Sequence, residues 1–245
     1  MHPFLEAFSI VTDAVAAMLR LDPPHSQTAP PGESAPRASL VPIRSLRPRH
    51  QAAVLAHLRE LSPADRYLRF GYVAQDVQIE RYVKGLDFDR DHIFGVFNRR
   101  LRLIAVAHLA YGREPQAERR AEFGVSVSPS YRGKGLGAKL FARAQLHAQN
   151  SRVSQMYIHA LTENSAMLKI ARNAGATVQR FGSESDAYLE LPAPTFVSHM
   201  SEAVDVQIAD TDYRLKVQAH QFWGLLNGVR TLRQRLRRWH GKSSQ

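Results

Sequence analysis

The chain has 245 residues, 44% hydrophobic and 22% charged, a balance that suits a folded protein and excludes global disorder. It has no cysteine, which excludes disulfides, thiolate metal sites, cysteine nucleophiles and iron–sulfur clusters, and fits a reducing, cytoplasmic setting. The net charge is +11, of which +8 lies between Tyr213 and Gln245, a stretch with eight Lys/Arg and no Asp/Glu.

In chain order, Phe4, Phe8, Val11, Val15 and Met18 lie at helical spacing and predict an amphipathic helix. Glu6, Asp13 and the absence of a basic leader argue against a signal peptide. Five prolines between Asp22 and Ala38 predict an extended linker, so residues 1–38 read as helix plus linker. The body, residues 39–192, alternates strand and helix patterns. A strand is expected around Val41–Leu46, a helix over Gln51–Leu61, and a second helix start at Ser62-Pro-Ala-Asp65, with Ser as cap and a carboxylate in the first turn. His92–Phe97 and Leu101–Ala110 read as a hairpin around Asn98-Arg-Arg100. Next come a strand Ala121–Val127, a helix Gly133–Gln149, a strand Met156–Leu161, a helix Asn164–Asn173, and strands near Thr177–Phe181 and Tyr188–Leu191. Residues 193–245 read as a basic helical extension, with Phe222, Leu225, Val229, Leu232, Leu236 and Trp239 forming a heptad-like seam. No apolar run approaches the roughly 18–20 residues of a membrane span.

The chemistry concentrates in Val127-Ser-Pro-Ser-Tyr-Arg-Gly-Lys-Gly-Leu-Gly137, where a strand runs through a glycine-rich loop directly into a helix. Glycines admit close backbone approach, unpaired N–H groups at a helix start attract phosphate oxygens, and Arg132 and Lys134 add charge. On physical grounds this is a pyrophosphate site. The spacing of a triphosphate P-loop is missing, a dinucleotide reading through Gly133, Gly135 and Ala138 lacks a second half, and a plain turn is the remaining alternative.

That segment resembles the acetyl-CoA signature of the GNAT acetyltransferase superfamily, with Arg132, Gly135 and Gly137 in its motif places. The resemblance spans Ser39 to Pro192. More narrowly, Ser62–Phe70, Ala121-Glu-Phe123 and the Asn164-x-x-Met-Leu stretch are similar to the GNAT domain of bacterial protein-lysine acetyltransferases. It implies an α/β (α+β) fold with a mixed sheet of six to seven strands flanked by helices, and an N-acetyltransferase using acetyl-CoA and no metal. It further implies that the pantetheine arm lies along Val125, Ser126 and Val127, the pyrophosphate on Arg132, Gly133, Lys134, Gly135, Leu136, Gly137 and Ala138, and that Asn164 completes the cofactor site. A backbone N–H beside a bulge in the signature strand is expected to stabilise the oxyanion.

Glu122 is the expected general base, against the reading in which it pairs with Arg119 or Arg120 on the surface. Where many relatives carry an acid tyrosine stands Ala171, so the general acid is unassigned; Tyr157 and Ser165 are weaker substitutes, and His159 a second acid/base candidate or a satisfied histidine. Asp87, Asp89 and Asp91 lack the glycine and closing glutamate of a calcium loop and read as an acidic turn. The expected acceptor is a primary amine, protein lysine slightly ahead of a small molecule. The alternative is a catalytically silent acyl-CoA sensor. The basic tail offers a surface to an acidic partner, nucleic acid or anionic membrane, and the apolar stripes allow a homodimer.

Overall fold

The computed structural model describes residues 41–112 and 120–240, without the side chains of 220–240. The expected N-terminal helix and linker, Arg119, and the side chains of the Phe222–Trp239 seam lie outside the described residues. Among the described residues no helix is long and apolar enough to cross a membrane.

Seven strands form one sheet: β1 (Arg44–Ser45), β2 (His92–Phe97), β3 (Leu103–Tyr111), β4 (Arg120–Val127), β5 (Gln155–Leu161), β6 (Thr177–Phe181) and β7 (Glu184–Glu190). Their spatial order is β1-β2-β3-β4-β5-β7-β6. Every neighbouring pair is antiparallel except β4 and β5. The helices are α1 (Gln51–Arg59), α2 (Pro63–Phe70), α3 (Asp76–Lys84), α4 (Leu136–Asn150), α5 (Ser165–Asn173) and α6 (Phe196–His240).

The sheet buries both faces. Phe94, Leu109, Phe123 and Met156 pack with Leu140, Phe141 and Ala144 of α4 and with Leu168 of α5. On the opposite face Ile93, Phe97, Leu103 and Val106 pack with Val54 and Leu58 of α1 and Ile79 and Val83 of α3. Strand alternation produces this division, since successive side chains point to opposite faces. In β4 it sends Ala121 and Phe123 to the α4 side and leaves Glu122, Gly124 and Ser126 on the other.

Ser62 caps α2 as expected: its Oγ accepts the Asp65 N–H at 3.2 Å and donates to Asp65 Oδ2 at 2.7 Å. Helix α3, which the sequence patterns leave unassigned, has Ile79 and Val83 one turn apart in the core, and three expectations need correction. Asn98 Oδ1 accepts the N–H groups of Arg100 and Arg102, and Leu101 adopts φ 57°, so β3 starts at Leu103 and not Leu101. Helix α4 starts at Leu136, because Gly133 and Gly135 both have φ 73° and cannot continue a right-handed helix. β4 carries no bulge: its register with β3 runs unbroken from Ala121 to Val127, and the irregularity falls instead between Val96 and Phe97 of β2.

Helix α6 docks on the body through polar contacts. Glu202 accepts hydrogen bonds from Arg143 (2.9 Å), Asn150 (2.6 Å) and His147. Burial opposes its ionisation, but these donors outweigh burial and hold its pKa at about 2. Further along, the Arg44 guanidinium stacks 3.9 Å over the Tyr213 ring and pairs with Asp210 at 3.3 Å.

Candidate active site

β4 and β5 pair through only three positions, Arg120↔Gln155, Ala121↔Met156 and Glu122↔Tyr157. Beyond Glu122 the strands part, and a cleft of about 750 Å³ opens between them. Its residues come from β4, β5, the Arg132–Ala138 loop, α2 and α5.

One wall is backbone. The Ser128 N–H bonds to Ile104 C=O and the Gly112 N–H to Arg120 C=O. With the unbroken register, this assigns the even-numbered residues of β4 to the ladder with β3. The backbone groups of Val125 and Val127 therefore face the cleft, where the Val127 C=O accepts Arg132 Nε–H at 3.2 Å, while the Phe123 N–H closes the ladder to β5 and the groups of Ser126 face β3. Its side chain too points elsewhere: His57 Nδ1–H donates to Leu103 C=O (3.2 Å), so His57 Nε2 accepts the Ser126 hydroxyl (2.9 Å). Burial pushes the His57 pKa down and keeps the ring neutral. Of the three β4 residues expected to pair with a pantetheine arm, two present backbone and one is committed to the fold.

The floor is the start of α4. The first helical bond runs from Lys139 N–H to Gly135 C=O, which leaves the N–H groups of Leu136, Gly137 and Ala138 without helical partners. A Cβ on Gly137 would meet Ile170 at 3.1 Å, so this glycine lets α5 pack against α4. Arg132 lines the cleft and reaches across it to Asp65 Oδ1 at 2.6 Å. Burial opposes ionisation of Asp65, but hydrogen bonds from Ser62 and Arg132 hold its carboxyl below the ordinary range. Lys134 is not part of the cleft lining; its ammonium lies 5.0 Å over the Tyr131 ring. Asn164 lines the cleft but its side chain is structural: Oδ1 caps α5 at Met167 N–H (3.2 Å) and Nδ2 donates to Leu68 C=O (3.3 Å).

The other wall is made of side chains. Glu122 sits at the apex, exposed, and among the described residues no hydrogen bond or ion pair holds its carboxylate. Gly124 follows on the same face, and the Arg69 guanidinium covers it so closely that a Cβ there would meet Arg69 at 2.7 Å. On β5, Tyr157 donates to Asp186 Oδ1 (2.9 Å), which also bonds His159 Nδ1 (2.8 Å). Burial and the donated bond push the Tyr157 pKa up, which makes it a poor acid. Ala171 is buried in the core between sheet and α5, away from the cleft. The acidic turn also holds a structural residue: Asp91 is buried and bonds Arg90 and His108. Sequence reasoning missed Arg69, Tyr82 and His108, and the clue available for Arg69 was the glycine two residues beyond Glu122.

The open backbone of a parted strand, partnerless N–H groups at a glycine-led helix and a cleft of this volume fit a long thioester cofactor. They define an acyltransferase frame of mixed α/β build. Residues 57–176 match the model of the acetyltransferase (GNAT) family, and the chain carries a GNAT acetyltransferase domain there. Acetyl-CoA is the acyl donor of that family. The GNAT domain of S. lividans PAT is 18% identical, with 61% of this chain and 89% of that chain covered and a TM-score of 0.52. A GNAT-family acetyltransferase from Streptococcus pneumoniae is 14% identical over 61% and 98%, with a TM-score of 0.50. An alpha-N-protein acetyltransferase of a ribosomal protein, solved with coenzyme A, is 16% identical over 65% and 98%, with a TM-score of 0.50. At these identities the likeness concerns the fold. No curated protein sequence matches the chain.

Proposed function

We propose that the protein transfers the acetyl group of acetyl-CoA to a primary amine by direct attack, with Glu122 as the general base. Bound in the cleft, acetyl-CoA supplies an activated acetyl group and a thiolate leaving group. The N–H groups of Leu136, Gly137 and Ala138, with the positive end of α4, suit the pyrophosphate, and Val125 and Val127 offer backbone to the pantetheine arm. The outward N–H of Val125 is the donor available to the thioester oxygen, in place of a bulge. Arg132 serves the phosphates after exchanging Asp65 for them.

The observation that carries the reading is the position of Glu122, at the last β4–β5 pair and at the head of the cleft. An amine entering from the α2 face meets this carboxylate before the thioester, and water or direct contact relays its proton. The thiolate is a good leaving group, with a pKa of about 8.5 in the cysteine model, and solvent protonates it without a dedicated acid. Assigning the acceptor as protein lysine rests on the resemblance of Ser62–Phe70 and its companion segments alone.

Thiol release from acetyl-CoA with a panel of amines tests this reading, with no cysteine in the chain to give background. Glu122→Gln is expected to lower kcat/KM by about 10²–10⁴-fold while acetyl-CoA still binds. An unchanged rate in this variant removes Glu122 as the base.

A further inference from the structure

Arg69 has an environment that acetyl transfer to an amine of any kind does not require. Its Nη2 donates to the Tyr82 hydroxyl at 2.9 Å, and Tyr82 donates to His108 Nδ1 at 2.8 Å. His108 Nε2–H donates to Asp91 Oδ2 at 3.0 Å. Burial drives the His108 pKa down against the pull of Asp91, and drives Tyr82 up, so both are neutral links. Asp91 accepts two further hydrogen bonds from Arg90, at 2.8 and 3.1 Å, and one from the Tyr111 N–H.

The chain has a direction. Each hydrogen is donated away from the cleft, and the carboxylate at its far end is matched by Arg90. The cation at its near end is not matched: among the described residues Arg69 makes no ion pair, and its only hydrogen bond is to Tyr82. The half-buried guanidinium lies against the rings of Phe70 (5.1 Å) and Tyr82 (5.6 Å) and has no carboxylate in contact, which leaves its open side to an anionic group of a ligand. Position 124 is glycine, and a Cβ there would require this guanidinium to shift.

Glu122 and Gly124 lie on one face of β4, and residues two apart on a strand stand about 6.6 Å apart. The Arg69 guanidinium covers Gly124, so a carboxylate and a guanidinium occupy neighbouring positions on this face and complement a zwitterion. Resting on the acetyl-transfer reading above, we infer that the acceptor is an amine with a carboxylate one to a few carbons away, its carboxylate seated on Arg69 and its amine turned toward Glu122. Free amino acids and peptides with an acidic group beside the reactive amine share this chemistry. Polyamines do not, since a second ammonium would meet Arg69.

The test compares matched pairs on the full-length protein: alanine with alaninamide, β-alanine with β-alaninamide, and a lysine peptide flanked by aspartate with its asparagine counterpart. The amides have the less basic amines, so intrinsic reactivity runs against the expected order. We expect kcat/KM to favour the carboxylates by about 10–100-fold. The pair with the largest ratio tells amino acid from peptide. In Arg69→Gln that ratio falls to about one, in Arg69→Lys it falls part way, and in Gly124→Ala it falls because the guanidinium is displaced though still present. Equal rates for acid and amide in the wild type, or an Arg69→Gln loss that is the same for both, overturn the inference. If no amine consumes acetyl-CoA, the acetyl-transfer reading fails separately. Calorimetric binding of the same probes to coenzyme A-saturated protein then decides: affinity for the carboxylate member that Arg69→Gln abolishes supports the inference, and equal affinity in wild type and variant overturns it.

Discussion

The wall of the cleft formed by Arg132–Ala138 and the wall formed by α2 with the far face of β4 differ in material. The first is contiguous in sequence and consists of backbone N–H groups, with glycines at 133, 135 and 137 to expose them. The second is assembled from Glu122, Arg69 and His159 on three separate elements, with Arg69 braced by residues 13 and 39 positions further on, Tyr82 and His108. A backbone wall holds any ligand with the right charge and width, whereas a side-chain wall selects. The division matches a donor common to a whole family and an acceptor particular to each member.

The contrast breaks if either wall does the other's work. Gly135→Val forces a branched side chain to φ 73° at the cap of α4; the acetyl-CoA dissociation constant is expected to rise by about 100-fold or more in calorimetry. A small change would mean that phosphate binding does not depend on this turn. Ser126→Ala acts on the other wall from behind, leaving His57 Nε2 unpaired in the core at a cost of about 1–3 kcal/mol. Tm should fall by roughly 3–10 °C, while acetyl-CoA affinity changes at most a few-fold, because the Ser126 backbone belongs to β3.

The smallest effect concerns pH and the docking of α6. Burial, aided by neighbouring cations, lowers the pKa of His92 (beside His147 and Arg143) and of His50 (beside Arg44 and Arg49) to about 4 each. Both are harder to protonate when folded, so their contribution is complete above about 6.5 and declines as pH falls toward 4. Glu202, depressed to about 2, contributes fully above about 4.5 and loses its contribution below that. All three weaken the fold on acidification. Melting at pH 5 is expected a few degrees below melting at pH 7, and truncation after Thr195 should reduce that difference. A difference unchanged by truncation would detach these groups from α6.

The same division explains what could be read beforehand. The glycine loop, the capped start of α2 and the strand order through β4 follow from local rules, in which spacing and residue type suffice. Helix α3 escaped notice because its core face is only Ile79 and Val83, too short a stripe to stand out. The Arg69–Tyr82–His108–Asp91 chain escaped because strand register and two helix packings bring its members together, and no local pattern encodes that. Asn164 and Ser126 were recognised as important, but their side chains hold the scaffold. A residue type that suits a ligand also suits a helix cap or a buried histidine, and only geometry separates the two uses.

The three residue pairs joining β4 to β5 make a narrow neck between two sub-sheets, one of four strands and one of three. On the proposed reading, a ligand arm along the parted edge would act as a splint across that neck, completing the sheet with atoms that do not belong to the chain. Resistance to unfolding is thereby tied to the supply of acyl donor: at about a hundredfold excess over the dissociation constant, mass action adds roughly 2.7 kcal/mol. On the proposed reading, shortage of that donor is expected to lower resistance to unfolding along with turnover, which melting with and without coenzyme A measures.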